Sequence, residues 1–321
     1  MKIQVIVPAH QAEETLSACL EGVKVAGFDL SDVILVDDGS RDRTAAIAHE
    51  YGVRVISNAE ALRPAKARNR GVEEAEADIL LFVDADVVLR AGIRDRLLHH
   101  FADPGVTAVI GSYDDQPGGG TVVSDYRNLL HHYTHQVSPG ESETFWTGLG
   151  AVRRQAFLDA GGFRSEWENI EDVEFGLRLR EGGGRILLDP SLQGRHLKVW
   201  TPGSMFRTDL HGRAVPWTRL LRLGRARTGK LNTSLSNRVA AFGVALAALG
   251  LLLLPFLGLG GLLLLLGAAL FLGASWPFLS HLWRIRGPGF ALRAVPYHAL
   301  HYVAALAGYA RVRLERGTSP A

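Results

Sequence analysis

Through residues 1–200, short apolar runs alternate with stretches of helical spacing. Ile3–Val7, Val33–Val36, Val53–Ser57 and Ile79–Val83 read as strands, the second and fourth without a polar break. Between them, Glu13–Ala26, Arg43–Tyr51 and Ala65–Ala75 carry helical periodicity. Leu16, Leu20 and Val23 share one face of the first, and Asp42 stands as a cap before the second. Strands separated by helices predict βαβ units in a largely parallel sheet. Right-handed crossovers then set the strand-to-helix loops on one edge. Val106–Ser112 and Arg185–Leu188 read as further strands, and Ser124–Val137, Arg154–Ala160 and Glu171–Arg180 as helices.

After residue 200 the pattern changes. Residues 239–258 and 260–283 are almost wholly apolar, and each reaches the roughly 20 residues that cross a bilayer. A tight turn is expected at Gly258–Gly261, making a helical hairpin with both ends on one side. Arg238 precedes it, and Arg284, Arg286 and Arg293 follow it, so both ends and the N-terminal domain are expected in the cytoplasm, as in a multi-pass protein of the cell inner or plasma membrane. Residues 290–310 are apolar but hold Arg293, Pro296, His298 and His301. They are expected at the interface or packed on the hairpin, with a third span as the alternative. From Gly203 to Leu231, apolar Met205, Phe206, Leu210, Trp217, Leu220, Leu221 and Leu223 alternate with Arg207, Arg213, Arg219, Arg222, Arg225 and Arg227, as in helices that lie among headgroups. The expected organisation is a catalytic domain over 1–202, a basic interfacial segment over 203–236 and a membrane domain over 237–321.

Composition adds three bounds. The hydrophobic share of 47% is concentrated in the C-terminal runs, and the net charge of +2 gives no general electrostatic case for nucleic acid. The single cysteine, Cys19, excludes an internal disulfide and suits a reducing compartment. MKIQVIVPAH enters a strand at once, so no signal peptide is expected.

The candidate chemistry centres on LLFVDADVVL, residues 80–89, an apolar run that reads as a buried strand interrupted by two carboxylates. In an extended chain Asp84 and Asp86, at i and i+2, point to the same side. At a strand's carboxyl end they would lie where open α/β sheets bind ligands. Hard carboxylate oxygens suit Mg²⁺ or Mn²⁺, ions that commonly carry phosphate. Asp37-Asp38-Gly39-Ser40 ends the second strand, so Asp37 and Asp38 gather on the same edge. His131, His132 and His135 share a helix but have no fourth ligand nearby, and read as part of an acceptor-side helix.

VPAHQAEETL, VDDGSRDRT at 36–44, AKARNRG at 65–71, FVDADV at 82–87, TGLGAVRR at 147–154 and EDVEFGLRL at 171–179 recur in an order that resembles a family 2 glycosyltransferase of the GT-A fold, over roughly residues 1–200. The resemblance implies a Rossmann-like α/β domain: a mixed, mainly parallel sheet with helices on both faces, followed here by the transmembrane hairpin. It implies inverting transfer from a nucleotide-diphosphate sugar, UDP-sugars first, with Mn²⁺ or Mg²⁺ on the diphosphate. Asp86 would ligate the metal, Asp84 the donor ribose or the metal's water shell, and His196 the metal or diphosphate, with Lys198 near the phosphates. Pro8, Ala9 and Glu13 would cradle the base and ribose, Asp38 would accept from the base N–H, and Asp37, before Gly39 in the same donor-binding turn, would either do the same or only shape the turn. Arg68 would reach the donor phosphates or base. Asp172 would be the general base, oriented by Glu171, and Thr147, Gly148, Leu149 and Gly150 would lie under the acceptor and donor sugar.

Two departures matter. His10-Gln11 stands where the family often has Tyr-Asn, and no QxxRW follows the ED helix, which implies transfer of one sugar without polymerisation. The expected acceptor is a lipid or lipid-linked molecule held at the membrane, with no nucleic-acid partner. A polyprenyl-phosphate sugar synthase, or a silent sugar-nucleotide-binding membrane scaffold, would use the same residues differently.

Overall fold

The structure, a computed structural model, describes residues 1–224, 234–255 and 257–315. Its elements are β1 (Ile3–Ala9), α1 (Leu16–Val25), β2 (Val33–Asp37), α2 (Thr44–Glu50), β3 (Arg54–Ser57), α3 (Pro64–Glu73), β4 (Ile79–Val83), β5 (Val87–Leu89), α4 (Ile93–Phe101), β6 (Ala108–Tyr113) and α5 (Val122–Gln136). There follow β7 (Gly140–Ser142), β8 (Leu149–Arg153), α6 (Arg154–Asp159), α7 (Glu171–Glu181), β9 (Ile186–His196), α8 (Pro202–Arg207), α9 (Val215–Arg222), α10 (Leu235–Leu252), α11 (Leu257–Arg286) and α12 (Pro288–Leu314). A π-helical stretch, Thr208–Ala214, joins α8 to α9.

The sheet runs β3-β2-β1-β4-β8-β6-β9-β5, with β7 on β9. The first four strands are parallel, as the βαβ pattern predicts. β8 turns the sheet by pairing antiparallel to both β4 and β6, while β6 and β9 are parallel. The sheet is therefore mixed, with a parallel nucleotide-type half and a mixed half. Helices cover both faces. One face carries Leu16, Leu20 and Val23 of α1 and Leu97 and Phe101 of α4. The other carries Ala65, Ala67 and Val72 of α3 with Phe157, Phe175 and Leu179.

One expectation about LLFVDADVVL needs correcting. The run is not a single extended strand: β4 stops at Val83, the Val87 amide donates to the Asp84 carbonyl at 3.0 Å, and β5 starts a separate antiparallel pair with β9. Asp84 and Asp86 thus sit on a turn, where strand alternation does not decide their direction. The strand expected at Arg185–Leu188 also continues, as β9, to His196. Its later residues carry no alternating pattern, and their partners are far away in sequence.

The chain divides into two compact units. Met1–Gly119 and His135–Lys198 form one, while Gly120–Thr134 joins the chain from Val199 on. The expected catalytic domain over 1–202 includes 120–134, which the structure groups with the second unit.

In that second unit α10 and α11 pack antiparallel through glycines. A Cβ on Gly243 would come within 2.6 Å of the Phe271 backbone nitrogen, one on Gly250 within 2.4 Å of Leu264, and one on Gly267 within 2.4 Å of Ala247. Small residues permit such approach, and it is how helices associate where no hydrophobic force separates them from lipid. The turn expected at Gly258–Gly261 lies earlier. α10 ends at Leu252, Leu253–Pro255 make the connection, and those glycines belong to α11. A Cβ on Gly260 would meet the Leu253 carbonyl at 2.4 Å, so that glycine serves close packing.

Leu235–Leu252 and Gly258–Arg286 are long and apolar enough to cross a membrane, with mean hydropathies of 1.6 and 2.1. A soluble core helix would be mostly buried, whereas Leu252, Leu262 and Leu265 are 77%, 64% and 72% exposed. α12 packs on this pair, turning Ala294, His298, Tyr302 and Ala304 inward. Its polar groups find partners: the Tyr302 hydroxyl donates to Asn237 Oδ1 at 2.9 Å, and His301 Nδ1 lies 2.9 Å from the carboxylate of Asp209, itself paired to Arg127 at 2.7 Å. The part of the expected basic segment at 225–233, including Arg225 and Arg227, lies outside the described residues.

Under the sheet of the first unit, Phe82, Phe145, Phe157, Phe163 and Phe175 interlock, with ring centroids 5.0–6.5 Å apart. Phe82 touches three of the other rings from the middle of β4. Phe82→Ala is expected to cost about 3–5 kcal/mol, read as a lowered denaturation midpoint for the detergent-solubilised protein.

Candidate active site

The carboxyl ends of β1, β2 and β3 are laced together by backbone and short polar side chains. The Asp38 amide donates to Ala9 O and the Asn58 amide to Asp37 O, both at 2.8 Å. The Gln11 amide donates to Ser40 Oγ at 3.0 Å and the Ala12 amide to Thr44 Oγ1 at 2.8 Å. Pro8 and Ala9 thus close β1 against the β2 loop, and the Glu13 carboxylate accepts from the Arg43 amide at 3.1 Å. Asp37 Oδ1 accepts from the Ser40 amide at 3.1 Å, which tightens the turn. Gly39 has φ +72°, and a Cβ there would lie 2.9 Å from the Ala61 nitrogen, so both conformation and space demand glycine.

Asp38 is the organiser of the loop at 58–63. Its carboxylate accepts from Asn58 Nδ2 at 2.7 Å and from the Leu62 and Arg63 amides at 2.8 Å each. A carboxylate offers about four acceptor positions, and this loop takes three of them.

Arg68 sits on the buried face of α3, where Ala65, Gly71 and Val72 leave room for it, and it is only 5% exposed. Its Nη1 donates to Glu171 Oε1 at 2.7 Å and its Nη2 to Asp84 Oδ1 at 2.8 Å. Its guanidinium also lies 5.9 Å from the centre of the Phe163 ring. One cation therefore ties the first acid after β4 to the first acid of α7, and the paired charges hold it protonated against the penalty of burial. Sequence reading placed Arg68 near the ligand edge but missed this bridge. The available signal was an arginine spaced three and four residues from small or apolar helix positions, on the face that must be buried.

Asp172 follows Glu171 at the N-terminus of α7. Its Oδ2 lies 3.3 Å from the Thr147 amide and 3.4 Å from the Thr147 hydroxyl, both donors, and its Oδ1 accepts from its neighbour's amide at 2.7 Å. Burial, and then the Glu171 charge, push its carboxyl up to about 6, with Arg68 and the amide donors opposing. Such a group is a competent base near neutral pH. Of the TGLG block, Thr147 touches Asp172. Gly148 packs under the Trp146 ring, where a Cβ would approach within 2.4 Å. Leu149 is core and Gly150 pairs with Phe82.

Asp86 meets His196 because β5 and β9 pair with Val87 opposite His196, and the Leu197 amide donates to Asp86 O at 2.8 Å. His196 Nε2 lies 3.4 Å from Asp86 Oδ2, with the carboxylate 29% exposed and the imidazole side chain 7% exposed. Burial pushes the Asp86 carboxyl up, but His196 and Lys198 outweigh it and hold the group below the usual carboxylate range. Among the described residues no group of three or more His, Cys, Asp or Glu is placed to hold a metal ion. Arg68 takes one oxygen of Asp84, whose side chain stays 31% exposed, so Asp84, Asp86 and His196 are the donors the chain offers. A hard divalent ion held by one carboxylate, with water and phosphate oxygens completing its shell, is the usual arrangement for Mg²⁺, and these residues fit that pattern. Of the histidines set aside as ligands, His135 places Nδ1 2.8 Å from Gly111 O, and His132 stacks on His281 at 5.6 Å.

Residues 4–161 match the family described as glycosyl transferase family 2. They form a family 2 glycosyltransferase domain. The pre-mycofactocin glycosyltransferase of Mycobacterium tuberculosis is 31% identical over 167 residues, which is 49% of this chain and 36% of that protein. The glycosyltransferase AglE of Haloferax volcanii is 25% identical over 202 residues, 60% of this chain and 66% of that protein. The chain spans less than two thirds of the length of these relatives. Among solved structures, the mannosyltransferase PcManGT from Pyrobaculum calidifontis, in complex with GDP-Man and Mn²⁺, superposes with a TM-score of 0.59 at 18% identity, covering 98% of this chain and 88% of that one. At that identity the likeness is one of fold.

For the glycosyltransferase domain, Arg68→Ala is expected to destabilise by about 3–5 kcal/mol, because Glu171 keeps its buried charge without a partner. Arg68→Lys should recover part of this, since an ammonium restores charge but not the two-pronged fork. Thermal melting of the two variants checks the order wild type, lysine, alanine.

Proposed function

We propose that the protein is a metal-dependent inverting glycosyltransferase that moves one sugar from a nucleotide-diphosphate sugar to a lipid or lipid-linked acceptor at the cytoplasmic face of a membrane. The observation that carries this reading is the Arg68 bridge, which fixes the acids after β4 and the acids of α7 at one sheet edge. Donor and acceptor machinery would thereby share one rigid support.

In this reading Pro8, Ala9 and Glu13 line the base and ribose pocket, and the Asp38 carboxylate receives a base N–H. Asp86 and His196 hold the divalent cation, Mn²⁺ or Mg²⁺, which when bound neutralises charge on the diphosphate leaving group. Lys198 adds positive charge beside it. Asp172 takes the proton of an acceptor hydroxyl on the face opposite the leaving group, and Thr147 orients it. The fold neighbour's GDP-Man and Mn²⁺ support a nucleotide-sugar and cation of this kind. The exposed apolar faces of α10 and α11, with Arg238 near the start of α10 and Arg284 and Arg286 at the end of α11, support a bilayer setting with the catalytic domain on the basic, cytoplasmic side. α12 is read as packed on the hairpin.

Two expectations follow from this mechanism. In a nucleotide screen by thermal shift, a matching nucleoside diphosphate with Mn²⁺ raises the melting temperature, and Asp86→Ala removes both this shift and donor turnover. An unchanged metal-dependent turnover in Asp86→Ala would sink the mechanism.

The second expectation concerns pH. Below about pH 6 Asp172 keeps its proton, so the rate falls roughly tenfold per unit on the acid side. Asp172→Asn abolishes transfer to a hydroxyl acceptor while leaving donor binding intact. The folded-state value is raised, so the native protein binds this proton more tightly than the unfolded chain, and stability from the group is lost as pH rises through 6. Asp172→Asn should therefore melt above wild type at pH 8, with the gap closing toward pH 5. A phosphate acceptor would instead leave Asp172→Asn active.

A further inference from the structure

Tyr113 ends β6, and its ring lies face to face with the His196 imidazole, with centroids 4.2 Å apart and planes 7° from parallel. Both side chains are buried, at 8% and 6% exposure. The strand register explains the meeting. Tyr113 pairs with Gly194 of the parallel β9, two residues before His196 and on the same side of the strand, and Gly194 brings no side chain of its own. Behind Tyr113 stands Trp146, edge-on at 4.8 Å and 89°, and behind Trp146 stands His135, edge-on at 5.3 Å. His135 is in turn anchored on the Gly111 carbonyl. The imidazole beside Asp86 is therefore backed by a series of rings that ends on the backbone of β6.

We propose that Tyr113 is a positioning residue: by stacking on His196 it fixes the plane of the imidazole, so that Nε2 stays directed at the cation site shared with Asp86. Turning an imidazole about its χ angles swings Nε2 away from a shared ligand point. A parallel ring at van der Waals distance opposes that turning. The role is assigned to the planar face of the tyrosine rather than to its phenol oxygen. Outer groups that orient a metal-binding histidine typically change metal affinity by about 10–100-fold when removed. The inference rests on the metal reading above, and the test separates the two.

The experiment is Mn²⁺ titration of the full-length, detergent-solubilised protein with a saturating nucleoside diphosphate, chosen as the one giving the largest thermal shift, followed by electron paramagnetic resonance of free Mn²⁺. Asp86→Ala is the control for the site itself. Tyr113→Phe should bind Mn²⁺ as wild type does. Tyr113→Leu and Tyr113→Met, the latter flexible enough to fill the space without a planar face, should weaken Mn²⁺ by about 10–100-fold while their ligand-free melting stays cooperative. If Asp86→Ala binds Mn²⁺ normally, the metal reading itself is wrong. If Asp86→Ala loses Mn²⁺ but either cooperatively melting variant, Leu or Met, binds like wild type, the role assigned to Tyr113 is overturned. Loss of binding in Tyr113→Phe would overturn it too, since the hydroxyl would then be the operative group.

Discussion

A guanidinium buried between two carboxylates governs this molecule's chemistry. Burying an arginine is costly unless its charge is answered, and Asp84 and Glu171 answer it through Nη2 and Nη1 from segments far apart in the sequence, leaving Nε without a partner. Once the bridge forms, the turn after β4 and the N-terminus of α7 cannot move independently. Asp172, next to Glu171, is buried with it: burial first, and then the Glu171 charge, raise its proton affinity, while Arg68 limits the rise. Its position and part of its basicity thus depend on the same contact.

Much of the first unit was legible in the chain. Periodicity located the parallel strands and their helices because each βαβ unit is local and three of the four strands, β1, β2 and β4, are buried on both faces. The acids at 37–38 and 84–86 stood out because they follow apolar runs, and those at 171–172 because they open a helix. What sequence could not show was which carboxylate meets which partner. Asp38 looked like a ligand contact, and the structure shows it first holding the loop of Asn58, Leu62 and Arg63. The Arg68 bridge and the Tyr113 stack are tertiary meetings between distant segments, for which a single chain carries no spacing rule. LLFVDADVVL misled for the opposite reason: its apolar continuity suggested one strand, but two strands with different partners have the same composition.

The C-terminal unit shows the same division. Length and apolarity located the two long helices to within a few residues, yet the glycines near 258–261 suggested a turn that lies several residues earlier. Glycine signals both chain reversal and close helix approach, and only the contact surface separates the two. The inward polar groups of α12 follow a related logic. His301 and Tyr302 are tolerated in an apolar helix because Asp209 and Asn237 meet them.

The pairing of β5 with β9 has a consequence for how the molecule is made. The nucleotide half of the sheet closes from contacts within the first 83 residues, whereas Asp86 acquires His196 only when a strand more than a hundred residues later has been laid beside Val87–Leu89. A chain emerging from the ribosome therefore has the partners of β1, β2, β3 and β4 in hand early, and those of β5 only once β9 has been made. Because non-local pairings pay loop-closure entropy before they return contact energy, the parallel half of the sheet is favoured before Asp86 and His196 meet.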